Sequence, residues 1–109
     1  MSKVPEALDG IPADAPATHP DAAVRLRALA EHLKVRGFEA ETVGNDLLVI
    51  APVNDMGRRL CVLVMCYPRP GDGERLWFWL HGPKPHPIAE ADRVIDAAVA
   101  IVGALRSAL

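Results

Sequence analysis

The chain has 109 residues, half of them hydrophobic and 24% charged, with a net charge of −2 and a pI near 6.0. That length supports one hydrophobic core rather than two, and the weak acidity supplies no field to gather phosphate backbones or anionic lipids. The longest apolar runs, such as Leu60 to Cys66, fall far short of the roughly 20 residues of a membrane-spanning helix. The opening MSKVPEALDG lacks the apolar stretch of a secretory signal, so a cytoplasmic location is expected.

Residues 1–17 hold Pro5, Pro12 and Pro16 among Ala, Asp and Gly without a sustained period, and read as a partly flexible tail ahead of a single domain at 18–109. Val4, Leu8 and Ile11 would allow this tail to lie along an apolar groove. A first helix is expected from Thr18, whose hydroxyl can cap it, with Pro20 in the first turn and Asp21 as the capping-box acid. Ala22, Leu26, Leu29, Ala30 and Leu33 recur at helical spacing, with charges around the rest of the circumference. Gly37 suits the left-handed residue that ends a helix and would fold Phe38 back onto Leu33.

Four strands follow: Phe38 to Val43, Asp46 to Ala51, Arg58 to Cys66 and Arg75 to His81. Gly44-Asn45 supplies a tight hairpin turn, Pro52 ends the second strand, and PRPGDGE, residues 68–74, has the chemistry of an exposed hairpin loop. The proline-rich GPKPHP, residues 82–87, cannot be helix or central strand and is expected to cross the end of the sheet in extended form. A last helix would then carry Ile88, Ala91, Val94, Ile95, Ala98, Ile101, Val102 and Leu105 at helical spacing. Its second half is apolar nearly all round, which demands burial on more than one side. The fold class is therefore α+β, a four-stranded antiparallel meander between an N-terminal and a C-terminal helix.

The strands themselves carry the functional information. Leu60, Val62, Val64 and Cys66 alternate with Cys61, Leu63 and Met65; Leu76, Phe78 and Leu80 alternate with Trp77 and Trp79; Leu47 and Val49 alternate with Leu48 and Ile50. Neither face is polar, so both must leave water. Either the helices and the tail cover both faces within one chain, or both helices take the Leu76, Phe78 and Leu80 face and the tryptophan face meets a second copy or another protein. The second arrangement makes Trp77, Trp79, Leu63, Met65, Leu48 and Ile50 the contact, with Arg69 and Arg75 at its rim. It predicts a non-enzymatic protein-binding or self-associating domain, a homodimer in its simplest form, acting as an adaptor, chaperone-like or regulatory accessory protein.

Two other readings use the same residues. Trp77 and Trp79, with Arg58, Arg59, Arg69 and Arg75 nearby, could stack single-stranded nucleic acid, although Glu74, Asp72 and Asp55 interrupt the positive charge. His81 and His86 could line an enzyme or ligand pocket between the last helix and the sheet, and with Cys66 they are the only residues resembling a metal set, though the usual ligand spacing is absent. No cofactor or metal is expected. Cys61 and Cys66, on one strand with backbones roughly 16 Å apart, cannot bridge each other and are expected to be buried, reduced thiols. Ser2 and Ser107 offer no nucleophile elbow, and Glu39 and Glu41 read as the solvated face of an edge strand.

The order helix, meander, helix over about residues 18–107 resembles that of small chaperone-like domains of the secretion-chaperone type and its YbjN-like relatives. That resemblance lies in element order and hydrophobic pattern, and implies the binding of protein partners. Secretion chaperones usually place a helix within the sheet, for which this chain has no room.

Overall fold

A computed structural model describes residues 21–82 and 84–107. The expected tail, the Thr18 cap and Pro20 lie outside the described residues. Helix α1 runs Ala22–Val35 and buries Ala22, Leu26, Leu29, Ala30 and Leu33, the stripe that its apolar spacing defines. Asp21 occupies the N-cap position itself, not the third turn position of a capping box, and makes no side-chain capping bond. The far end closes as the sequence requires. Gly37 takes φ 91°, its N–H donates to the Lys34 carbonyl, and the Phe38 N–H donates to the Leu33 carbonyl, both at 3.0 Å. This is a Schellman motif, and it turns Phe38 into the core.

The sheet has five strands, not four: β1 Glu39–Val43, β2 Asp46–Ile50, β3 Cys61–Pro68, β4 Leu76–Leu80 and β5 His86–Glu90, antiparallel throughout in the order β1-β2-β3-β4-β5. The fifth strand corrects the expected crossover at residues 82–87 and shortens the last helix, α2, to Val94–Ser107. Pro87 is admissible because β5 is an edge, where a missing N–H leaves no ladder bond unmade. A register shift opposite Phe78 and Trp79 leaves Ile88 as an extra residue, and Ile88 packs against the core. Ile88 and Ala91 fit a helical period by coincidence of a bulged strand with the helix that follows. Strand β3 also runs later than expected, leaving Arg58–Leu60 in the connection and adding Tyr67 and Pro68.

Both helices lie on one side of the sheet. They pack on each other, α1 also packs on β1, β2 and β3, and α2 on β5. Beneath them Leu47, Val49, Val64, Cys66, Phe78 and Ala89 are buried, and Val49, Val64 and Phe78 are fully covered, as are Leu29, Leu33 and Ile101 from the helices. Complete burial of each such side chain contributes about 1.5–3 kcal/mol. The apolar character of α2 is explained in part: Ala97, Ala98, Ile101, Val102 and Leu105 face α1 and the sheet, whereas Ile95 and Val99 remain 57% and 54% exposed.

Candidate functional site

The period of two in each strand and the antiparallel register together build the second face of the sheet. Leu48 pairs with Leu63, Ile50 with Cys61, Met65 with Trp79, and Tyr67 with Trp77. The six apolar residues expected to form a contact are thus gathered on one surface, in rows across β2, β3 and β4. All are half-buried, and none belongs to the hydrophobic core or packs against it. Among the described residues no helix covers this face.

The aromatic part of the surface is ordered by specific bonds. Trp79 stacks on Tyr67, ring centroids 4.8 Å apart and planes 9° apart, and its indole N–H donates to the Tyr67 carbonyl at 3.1 Å. This diagonal pairing of neighbours across two strands is favoured by sheet twist. The Trp77 indole N–H donates to Asp72 Oδ2 at 2.7 Å, and the Arg69 guanidinium lies over its ring at 4.4 Å. The loop between β3 and β4 therefore folds back on Trp77 from both of its arms. Arg75 is tied instead to Glu90 of β5, at 3.2 Å. Both arginines expected at the rim are at the same end of the face, each already engaged.

Asp46 is a half-buried acid at the start of β2, opposite Val43 of β1 and on the strand that flanks Leu63 and Met65. Burial raises its carboxyl above the ordinary range, and the charge of His81 lowers it by a smaller amount. Burial also raises the Tyr67 phenol, with the negative charge of Asp46 adding to the effect. Asp46, Tyr67 and His81 therefore share one electrostatic neighbourhood on this face.

Comparison with known protein families, curated proteins and solved structures finds no match. What the site does has to be read from its own chemistry.

The other sequence candidates are dispersed. Cys66 is buried under the helices, whereas His81 is exposed at the end of β4 and His86 at the start of β5, so the three do not converge. Among the described residues no group of three or more His, Cys, Asp or Glu side chains could hold a metal. Four clefts, of about 470, 270, 410 and 240 Å³, have neither histidine in their walls; the largest lies between α1 and the β1–β2 hairpin. The thiols differ from expectation in one respect. Cys66 is buried and pushed up to about 12 by that burial, with Arg25 offsetting a little, but Cys61 is exposed, at the end of the open face. Both are free.

Tyr67, Asp46, Pro87 and Glu90 belong to the surface and escaped the sequence reading. Tyr67 was within reach, since it continues the alternation Cys61, Leu63, Met65 by one step. Pro87 and Glu90 depend on β5, which no local pattern announces.

Proposed function

We propose that this chain is a non-enzymatic binding domain that docks a protein surface, its own or another's, through the open face of its sheet. The observation that supports this reading is the placement of both helices on the Leu47, Val49, Val64 and Phe78 side, which leaves the opposite, equally apolar side without helical cover among the described residues. Isolated exposed apolar residues need no explanation, but contiguous rows of Leu, Ile, Met and Trp across three strands do. Large aromatics held rigid by their own hydrogen bonds and ring contacts lose little entropy on docking, which suits a recognition surface.

Hydroxyl-radical footprinting of the full chain at high dilution tests this directly. Met65, Trp77 and Trp79 are expected to react far faster than Phe78. Protection of all three at every dilution, released by deleting residues 1–17, would mean that the chain covers its own face, and the binding reading would fall.

A further inference from the structure

We infer that the open face takes a second copy of this chain, sheet against sheet, about a two-fold axis that runs parallel to β3 and lays the β1 flank of each copy over the β4–β5 flank of the other. This rests on the docking reading above and names its partner.

Three features of the face point to self-pairing. Strand order is symmetric about β3, the longest strand, whose Leu63 and Met65 sit at the middle of the apolar rows. A rotation about that line therefore lays Leu63 and Met65 of each copy against those of the other, with Trp79 over the Asp46 end of the partner's β2.

The flanks differ in their unpaired charge, since on the far side Glu90 is already bonded to Arg75. On the β1 side Glu39 and Glu41 share the face with Asp46, and among the described residues Arg59 alone forms an ion pair with them, bonded to Glu39 at 2.7 Å. On the far side His81 ends β4 and Lys84 lies exposed in the connection to β5. Among the described residues neither Glu41 nor Lys84 forms an ion pair within the chain. The two-fold brings Glu41 of one copy to the His81 and Lys84 end of the other, twice. An axis across the strands would instead set Arg69 and Arg75 over the Arg59 end.

The extent fits a weak pair that forms as concentration rises. Five strands about 4.8 Å apart and roughly 17 Å long give a flat footprint of about 400 Å² on each copy. Two copies therefore bury on the order of 800 Å², below the roughly 1,200–2,000 Å² of a stable pair and within the range of weak, reversible association. Two sheets so packed lie about 10 Å apart with strands aligned to within roughly 30°.

Sedimentation velocity and light scattering of the full chain, from nanomolar to high micromolar concentration, read the outcome. A twofold rise in mass with concentration is expected, and Leu63→Glu is expected to return the mass to that of one chain with the far-UV spectrum and melting temperature kept. Val99→Glu, on the exposed side of α2, should leave the pair intact. If Leu63→Glu fails to fold, alkylation of Cys61 in the unmutated chain serves instead, slowing as concentration rises through the mass transition. Glu41→Lys should weaken pairing about tenfold, as should Lys84→Glu, and mixing the two variants should recover a mixed pair. A chain that stays single at every concentration while Met65 and the tryptophans remain open to footprinting would overturn the second copy and leave the docking reading in place. Loss of the pair in Val99→Glu, or no recovery on mixing, would overturn the arrangement.

Discussion

The two faces of one sheet make the instructive comparison. Strands β2, β3 and β4 send Leu, Val, Cys and Phe to one side and Leu, Ile, Met and Trp to the other, so by composition the sides are nearly equivalent. They differ in what lies over them. On one side α1 and α2 reduce Val49, Val64 and Phe78 to zero exposure; on the other the side chains cover each other, with Tyr67 on Trp79 and Arg69 on Trp77. A side chain's worth to stability is set by the water it loses. The first face therefore stabilises the folded chain, and the second contributes less to it.

That contrast can be broken by paired substitutions read in thermal or urea unfolding of dilute chain. Phe78→Ala should cost about 3–5 kcal/mol, the range for an aromatic lost from a closed core. Leu63→Ala, one strand away on the open side, should cost no more than about 1 kcal/mol. Equal losses at the two positions would show that both faces are closed. Trp77→Phe keeps the ring and deletes the bond to Asp72, and about 0.5–1.5 kcal/mol should follow. A loss of that size should disappear when Asp72→Ala is already present.

Titration sharpens the same contrast. Because burial raises the Asp46 carboxyl in the folded chain, its contribution to stability is fully present below about pH 4, the unfolded value, and is lost as pH rises through the raised folded value. Asp46→Asn should therefore stabilise the chain at neutral pH and flatten this part of the pH profile; an unchanged melting temperature at pH 7 would remove Asp46 from the account. In mildly alkaline buffer one thiol per native chain should react promptly with an alkylating reagent. That thiol is Cys61. Cys66, buried and raised to about 12, should wait for unfolding, and two equally fast thiols would contradict the closed face.

Much of the candidate surface is legible in the sequence. Alternation with period two assigned Leu48, Ile50, Leu63, Met65, Trp77 and Trp79 to one side, because in a strand a side chain's face follows from its parity alone. The end of α1 was equally plain, since Gly37 followed by Phe38 is a local solution to the helix's unpaired carbonyls. Strand β5 was not. His86–Glu90 has a proline and a bulge in place of alternation, and becomes a strand only because β4 offers it a free edge. The exposure of Cys61 likewise follows from its place at the end of a row, not from its neighbours in sequence.

By itself, then, the sequence determined an α+β meander whose sheet is apolar on both sides, for patterning and turn chemistry act over a few residues. Only the tertiary structure decided that both helices take the same side, since either face offered them comparable apolar area. The helices' packing against each other accompanies that choice, and it is what sets Trp77 and Trp79 apart from the core on a face without helical cover among the described residues.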